Sequence, residues 1–556
     1  MGQLATPAPK PQVLLGGGGS AMDGSGAAAD AKPDWAEQGS QAEGDASQGA
    51  APMSPLSFAE LQAQLQPSWG RLNAEAAADV DVLLVPSLSL ERSQMELVTG
   101  AHHYEERQLF SLVRLRHPGV RMVYATSKPL AELVVDAVLE LLPGVPTSHA
   151  RRRLHLFDTD DASDRPLTAK LLERPALLNR IGELLRPGRS FISCFVVSHL
   201  ERQLSERLQV PLLGCDPALA HWGSKAGSRE LFARCGVPHP PGSPLVHSLD
   251  DLAEACAELW EAQPELEQLV VKLNEGFSGE GNARLPLAPL QLADHSGAER
   301  RRLLRQSLDL LPMPAPRWRE LVAEQGALVE AWLEGGEAVS SPSVQGTIHP
   351  SGGSGAGTVE LLSSHEQVLG GAGGQTYQGC SFPAAGAYRA ELLSHGQAVG
   401  EALAAAGALE RYAVDFIARR IGDRWDLQAI EVNLRQGGTT HPFIALGAIT
   451  GGSSDGEDGL YRAPNGTPLY YRATDTLQHP GLRGLLPVDL IDIVAEAGLH
   501  FDPAQLRGSV FHLLGCLSEF GKLGMTCIGR SATEAQAVYG ATEQQLLLGA
   551  ARLASR

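Results

Sequence analysis

The side chains best suited to chemistry stand on two neighbouring strand-like segments. Asp415 lies within Tyr412–Ile417, and Glu431 and Asn433 lie within Ile430–Arg435. Because successive side chains of a strand point to opposite faces, Glu431 and Asn433 should share one face. An unpaired Asp415 among apolar neighbours would be costly to bury. Mg²⁺ binds carboxylate oxygens, waters and phosphates, so we predict a metal site at Asp415, Glu431 and Asn433.

Arg435 follows Asn433 by two residues and adds a cation to this group of oxygens. A guanidinium there could hold a phosphorylated carboxylate while it reacts. A purely structural interpretation, a buried acid–arginine pair, also fits the pattern. The sequence leaves both interpretations open, and we take Arg435 as a candidate catalytic residue.

A glycine-rich loop follows a strand-like run that ends in Lys272. Glycine lets the backbone approach phosphate oxygens closely and direct N–H groups at them, and lysine supplies a point charge. We therefore predict a nucleotide-phosphate site, although a loop without function would have the same composition. Its candidate residues are Lys272, Glu275, Gly276, Ser278, Gly279, Gly281 and Asn282.

Two further segments could contact the same nucleotide. Lys225 precedes a helix-like stretch and could reach the phosphates, although an exposed lysine is the simpler interpretation. The run containing Glu330, Trp332 and Leu333 offers alternating backbone N–H and C=O groups to an adenine edge. An ordinary strand end explains that run equally well. Each of these two segments therefore supports a nucleotide site only in combination with the stronger motifs.

Composition and missing motifs exclude several classes of protein. The chain has no GxxxxGK[ST] or HExxH motif. Its net charge of −19 argues against nucleic acid or an anionic membrane as the main partner. No apolar run approaches the ~18–20 residues of a membrane span. Seven scattered cysteines without CxxC spacing are typical of reduced thiols, so we expect a cytoplasmic protein.

From about residue 80, strand-length apolar runs alternate with helix-length amphipathic stretches. Val80–Pro86 and Val120–Ala125 are examples of the runs, and Leu130–Leu142 and Leu171–Leu185 of the stretches. This alternation predicts an α/β fold with βαβ units and a mostly parallel sheet. We expect regions at 1–55, 80–216, 217–335 and 336–553. The first has too few large apolar side chains to form a core, so we predict that it is disordered.

The metal candidates fall in a predicted hairpin. Tyr412–Ala418 and Trp425–Val432 flank Gly422–Asp423, which is a strong turn signal. Such a hairpin would bring the three oxygen side chains together. Near the end of the chain, Thr533–Leu553 has helical spacing and predicts one amphipathic helix.

In this order the motifs resemble those of the ATP-grasp superfamily, and more closely its branch typified by the pheganomycin peptide ligase. The resemblance covers about residues 80 to 540 and rests on five segments. They are Val85–Ser89, His103–Arg107, Lys272–Asn282, Ser364–Gln367 and Asn433–Pro442. The resemblance implies a Rossmann-like pre-ATP-grasp domain at 80–216. It also implies a two-lobed ATP-grasp fold, with its N-terminal lobe at 217–335 and its C-terminal lobe at 336–553.

This resemblance also implies a carboxylate–amine ligase that forms an acyl phosphate and releases ADP and phosphate. ATP would place its phosphates on Lys225 and Lys272 and its adenine beside Glu330–Leu333. Mg²⁺, or alternatively Mn²⁺, would occupy the predicted metal site. Amino acids or peptides are the expected substrates.

Four histidines are weaker candidates for the same reaction. His365 and His441 could handle the amine or orient the carboxylate, and we take them as candidate catalytic residues. His102 and His103 could face the substrate cleft. For each of them a structural role is the alternative.

Two other functions stay open at this point. One is a non-catalytic ATP-binding regulatory protein, and the other is an ATP-grasp phosphotransferase or carboxylase. The intact set of acids, amide and arginine favours the ligase. The sequence identifies neither substrate, and a homodimer is equally open.

Overall fold

The computed structural model describes residues 55–72, 79–90, 95, 98–276, 281–288, 297–309, 311, 318–333, 335–351, 356–370, 376–454 and 458–555. The predicted disordered tail lies outside these ranges except for its last residue. The proposed domain boundaries stay predictions.

A parallel sheet of five strands forms the first part of the described chain, in the order β3-β2-β1-β4-β5. This is the strand order of the Rossmann fold, so the α/β prediction is confirmed. Both faces carry apolar clusters, as expected for a parallel sheet covered by helices. Its strands are β1 (Val80–Val85), β2 (Val120–Thr126), β3 (Leu154–Asp158), β4 (Ser190–Cys194) and β5 (Leu212–Leu213).

The helices of this part are mostly short. The amphipathic stretch Leu171–Leu185 is divided between two helices, because Pro175 starts a second helix there. Proline lacks a backbone N–H and is best tolerated at the first helical position. The helices are α1 (Phe58–Ala63), α2 (Leu65–Leu72), α3 (Glu132–Glu140), α4 (Thr147–Arg151), α5 (Leu167–Leu172), α6 (Pro175–Leu184) and α7 (His199–Leu208), with a 3₁₀-helix at Ala101–Arg116.

A smaller antiparallel sheet with the order β7-β6-β8 follows, packed on helices around its own apolar cluster. Lys272 pairs with Asn282 on the neighbouring strand, so the ends of the glycine-rich loop face each other. The elements are a 3₁₀-helix at Pro217–Gly223, α8 (Lys225–Cys235), α9 (Leu249–Ala262), β6 (Gln268–Leu273), β7 (Asn282–Pro286), α10 (Gly297–Asp309), α11 (Trp318–Gln325) and β8 (Ala327–Ala331).

The largest sheet is antiparallel and, within the described residues, has eleven strands. Its main path runs β14-β13-β10-β11-β12-β17-β16-β15, while β19 joins β17 to β18 and β9 pairs with β13. These strands are β9 (Val339–Ser340), β10 (Pro342–His349), β11 (Thr358–Gly370), β12 (Thr376–Phe382), β13 (Glu410–Ile421), β14 (Arg424–Asn433), β15 (Ser453–Ser454), β16 (Tyr461–Arg462), β17 (Pro468–Gln478), β18 (Gly508–His512) and β19 (Lys522–Gly529).

Helices cover this sheet, and the predicted C-terminal helix is confirmed as the last of them. The hairpin prediction is also confirmed, since β13 and β14 are joined by Gly422–Asp423, and Gly422 has the positive φ of 60° that a tight turn favours. The helices are α12 (Arg389–Ala405), α13 (Thr440–Thr450), α14 (Pro487–Glu496), α15 (Gly515–Phe520) and α16 (Ala532–Ala554), with a 3₁₀-helix at Pro480–Leu482.

The long 3₁₀-helix of the first part contacts the last part through buried polar side chains. The Glu106 carboxylate accepts the backbone N–H of Gly515 at 3.1 Å, and the Gln108 amide donates to Gln436 at 2.9 Å. Burial raises the pKa of Glu106 to about 7, although the backbone N–H groups of Gly515 and Leu514 oppose the rise. Burial, and not this contact, therefore favours the protonated form of Glu106.

We expect Glu106→Gln to flatten the pH dependence of stability. The native state holds the Glu106 proton up to about pH 7, whereas the ordinary pKa is 4.5. The stabilisation linked to that proton is complete below pH 4.5 and is lost as pH rises through 7. At pH 8 the melting temperature of the variant should exceed that of the wild type by a few degrees, which is roughly the effect of removing one buried charge. If the melting temperatures of the variant and the wild type differed by the same amount at pH 5 and pH 8, this assignment would be contradicted.

Candidate active site

The β13–β14 hairpin brings the predicted metal ligands onto one face. Asp415 pairs directly with Glu431, and Ala413 pairs with Asn433, so Glu431 and Asn433 lie on the same face as Asp415. The register shifts immediately after Asp415, where Ile430 is the extra residue of a bulge. Bulges bend a strand and re-aim side chains, and they are frequent next to active sites. Three oxygen-bearing side chains thus meet at one point of the sheet.

Asp415 is held by two amide groups. Gln367 Nε2 donates to Asp415 Oδ1 at 2.6 Å, and Asn433 Nδ2 donates to Asp415 Oδ2 at 3.0 Å. Arg435 Nη2 in turn donates to Asn433 Oδ1 at 2.9 Å. Burial, and then the negative charge of Glu431, raise the pKa of Asp415 to about 7. A carboxylate whose ionisation is disfavoured by burial and by a second carboxylate belongs to a site that a cation would stabilise.

Lys225 lies beside this pair of carboxylates. Its ammonium is 2.6 Å from Glu431 Oε1. The position is fixed by α8, whose N-terminus is capped by Ser224 and whose Ser228 hydroxyl accepts the backbone N–H of Val432 at 3.0 Å. Asn274 also accepts from the first residues of α8. Lys225 is therefore a buried, ion-paired lysine of the site, which corrects the simpler interpretation of an exposed side chain.

Lys272 and Glu330 form a buried ion pair across β6 and β8, and Arg229 donates to the other oxygen of Glu330 at 2.9 Å. Burial by itself raises the pKa of Glu330, but Lys272 and Arg229 outweigh it and hold that pKa below its usual value. The structure therefore gives Glu330 a strong contact that the adenine prediction did not include. Its carboxylate fixes the Lys272 ammonium, because a buried charge needs a partner.

One cavity of about 460 Å³ joins these groups, which is within the range of small-molecule sites. Trp332 and Leu333 lie on its wall, and the Arg284 guanidinium is 4.0 Å from the Trp332 ring centroid. Of the residues predicted from the sequence, those on its wall are Lys272, Asn282, Glu330, Trp332, Leu333, Asp415, Glu431, Asn433 and Arg435.

The remaining candidate residues of the glycine-rich loop are not among those that line the cavity in the described part of the chain. Ser278 and Gly279 lie outside the described residues. Glu275 and Gly276 are described but do not line the cavity within the described ranges, and the Glu275 backbone N–H donates to Gln325 at 2.8 Å. Gly281, with φ at 86°, accepts the backbone N–H of Leu273 at 2.9 Å and closes the loop. Their contacts with a nucleotide stay predictions.

The four histidines lie away from the described cavity wall. His365 is buried and its Nε2 is 2.6 Å from the Tyr471 hydroxyl, and burial lowers its pKa to about 3. His441 is buried against His512, and burial lowers its pKa well below the usual value. His102 and His103 group with Glu519. Both His365 and His441 are therefore neutral at physiological pH, and their catalytic roles stay predictions.

Sequence reasoning did not single out several residues of the cavity wall. Tyr104, Arg107 and Gln367 lie in segments that carried the family resemblance, so the motifs contained them without giving them roles. Arg284 and Asp475 had no local signal, because each stands alone in an ordinary strand. Only the packing of distant strands brings them to the site.

Comparison with known proteins agrees with this geometry. Residues 217–309 match the family model described as "IQCH-like, ATP-grasp", and residues 489–542 match the model described as "PGM1 C-terminal domain". The chain is 31% identical to the L-propargylglycine–L-glutamate ligase of Streptantibioticus cattleyicolor, over 84% of this chain and 94% of that protein. The chain belongs to the ATP-grasp ligase family. It is thus an ATP-dependent enzyme that joins a carboxylate to an amine.

Other matches of this ATP-grasp ligase are partial or distant. It is 26% identical to the IQ motif-containing protein H of Danio rerio, over 38% of this chain and 21% of that protein. The N5-carboxyaminoimidazole ribonucleotide synthetase of Thermus thermophilus is 15% identical with a TM-score of 0.45, over 84% of this chain and 98% of that one. The biotin carboxylase of Campylobacter jejuni is 12% identical with a TM-score of 0.49, over 84% and 94%.

None of the helices in the described part of the ligase combines the length and the apolar character required to cross a bilayer.

Proposed function

We propose that this ligase joins the carboxylate of one amino acid to the amine of another, with ATP cleaved to ADP and phosphate. The observation that carries the proposal is the cavity in which Lys272, the Asp415–Glu431 pair and Arg435 meet. The relative named as a ligase of L-propargylglycine and L-glutamate supports amino acids as the substrate class for this chain.

The residues of the hairpin fit a magnesium ion. Asp415 and Glu431 offer carboxylate oxygens directly opposite each other, and Asn433 lies beside them with its amide nitrogen on Asp415 and its oxygen on Arg435. Hard cations prefer this donor set, and Mn²⁺ is an alternative occupant. The raised pKa of Asp415 supports the assignment, because a bound cation would stabilise the carboxylate charge that burial and then Glu431 disfavour. When bound, Mg²⁺ would neutralise negative charge on the phosphates of ATP.

The protein's own groups would then orient ATP. Lys225 and Lys272 are held by Glu431 and Glu330 at positions from which they could meet phosphate oxygens. Trp332 and Leu333 provide an apolar wall for adenine. Because the lysines are ion-paired before ATP arrives, they are preorganised, and little ordering is needed on binding.

Arg435 would stabilise the reacting carboxylate. Its guanidinium lies next to Asn433 and the metal candidates, and burial lowers its pKa against the opposing charges of Glu431 and Asp415. A substrate carboxylate there would take the γ-phosphoryl group of ATP and become an acyl phosphate. The amine would then attack the acyl carbon, form the amide and release phosphate. Preorganised charges in a recessed site are the main source of rate in such transfers.

A reducing compartment suits the enzyme. All seven cysteines are free thiols, and six of them are buried. This supports a cytoplasmic location, because oxidising compartments favour the formation of disulfides. A homodimer stays a prediction.

The test is ADP release from Mg²⁺–ATP with L-glutamate paired with each of the twenty coded L-amino acids and with L-propargylglycine. We expect release that requires both amino acids, together with an amide product identified by mass spectrometry. Glutamate alone and the second amino acid alone serve as controls. Phosphate transfer to a single substrate with no amide product would contradict the proposal.

A further inference from the structure

The cavity wall contains a second buried ion pair, which the chemistry proposed so far does not use. Arg107 Nη1 is 3.0 Å from Asp475 Oδ2, and each side chain is only 6% exposed. The two residues are 368 positions apart, one on the long 3₁₀-helix and the other on β17. Both line the same cavity as Lys272 and the metal candidates.

The pair is incompletely satisfied. Arg107 Nε and Asp475 Oδ1 are buried and have no hydrogen-bond partner among the described residues. Burying a charged group with an unused donor or acceptor is costly. The pair thus leaves one cationic donor and one anionic acceptor for something that enters the cavity.

A comparable pair elsewhere in the chain differs in this respect. Asp81, 1% exposed, accepts from Arg121 Nε and Arg186 Nη2 on one oxygen at 2.8 Å. Its other oxygen accepts the backbone N–H and the Nε of Arg186 at 2.9 Å. Asp81 lies on β1 at its pairing with β4, and both of its oxygens are used. Both carboxylate oxygens of Asp81 are therefore used, whereas the Oδ1 of Asp475 is not.

Aromatic and basic neighbours fix the position of Arg107. Its guanidinium carbon lies 4.4 Å from the Tyr104 ring centroid and 4.5 Å from that of Phe195. Lys522 donates to the Tyr104 hydroxyl at 2.6 Å. Contacts of a guanidinium with aromatic rings are favourable and restrict its motion. The Arg107 guanidinium, which contains the unused Nε, is thus held in a fixed position.

We propose that Arg107 and Asp475 bind the head group of the acceptor amino acid, with its α-carboxylate on Arg107 and its α-ammonium on Asp475, which accepts the proton that the ammonium must lose before the amine attacks. This rests on the proposed function. The head group carries an anionic acceptor and a cationic donor, which match the unused Nε of Arg107 and the unused Oδ1 of Asp475. It is assigned to the acceptor because a carboxylate held by Arg107 is not the one that is phosphorylated, and Arg435 beside the metal candidates serves the donor.

The assignment predicts a specific loss of selectivity. In the wild type, amidating the α-carboxylate of the acceptor should lower kcat/KM about 100-fold, as expected when a charged hydrogen bond is lost. In Arg107→Gln the free acid and its carboxamide should react within about 3-fold of each other, and the KM for ATP should stay within about 3-fold of the wild type.

The experiment uses the full-length enzyme and the most active pair from the ADP-release panel, with each partner replaced in turn by its α-carboxamide. Asp81→Asn is the matched control, since it disturbs a buried acid–arginine cluster outside the cavity wall and should keep the wild-type selectivity. Asp475→Asn should raise the KM of the acceptor without changing that of ATP. If Arg107→Gln does not fold, Arg107→Lys, which retains charge but removes Nε, should still lower the selectivity about tenfold.

The outcomes separate this inference from the proposed function. If ligation occurs but Arg107→Gln slows the acid and the carboxamide equally, or the wild type does not distinguish them, the inference is wrong and the proposed function stands. If no pair is ligated, the proposed function is wrong. The same amino acids and carboxamides are then tested by thermal shift with Mg²⁺–ATP. If only the free acid stabilises the wild type, and Arg107→Gln loses that stabilisation, Arg107 and Asp475 still form a binding site for the head group. If the free acid gives no such stabilisation, the inference is wrong.

Discussion

Glu431→Gln should lower kcat for ADP release by at least about 10³-fold, which corresponds to the several kcal/mol that a bound metal contributes to phosphoryl transfer. The substitution keeps the size of the side chain and removes its charge. It would take away one of two opposed carboxylates of the candidate metal site and also the partner of Lys225. Steady-state ADP release, measured across a range of Mg²⁺ concentrations, tests this expectation.

The matched control is Glu360→Gln. Glu360 also makes one short contact to a basic side chain, with its carboxylate 2.6 Å from His349 Nε2, and it does not line the cavity in the described part of the chain. This variant should keep kcat within about 2-fold, as is usual for surface substitutions away from a site. Wild-type turnover in Glu431→Gln would mean that the metal is held elsewhere.

Lys272→Met should weaken ATP binding about 100-fold, because the buried ammonium that we propose to meet phosphate is replaced by a neutral group of similar length. Glu330 would still be paired with Arg229, so the variant should remain folded with a lowered melting temperature. Calorimetric titration of the variant with Mg²⁺–ATP measures the affinity, and thermal unfolding measures the stability.

Lys170→Met separates the loss of ATP affinity from the loss of stability. Lys170 is also fully buried, but its ammonium donates to Ser127 Oγ at 3.0 Å and to the backbone carbonyls of Asp161 and Ser163 at 2.7 Å. We expect this variant to lose stability and to bind ATP with the wild-type affinity. An equal loss of ATP affinity in both variants would mean that Lys272 acts only through folding.

The sequence by itself determined the local elements of the site. The period-two spacing of Glu431 and Asn433, together with the turn at Gly422, predicted the hairpin that the structure contains. Such predictions succeed because side-chain alternation and turn conformation depend on residues close together in the chain. The amphipathic stretch Leu171–Leu185 is divided between two helices for an equally local reason, which is that proline begins a helix more readily than it continues one.

The tertiary structure alone decided which charges meet. Glu330 was predicted at the adenine but pairs with Lys272 and Arg229, because strands β6 and β8 lie side by side. Arg107 and Asp475 come together across 368 positions, and neither carries a local signal for the other. A buried charge is stabilised by whichever group the packing of distant strands and helices brings to it. Spacing along the chain does not encode that choice, so only the folded protein reveals it.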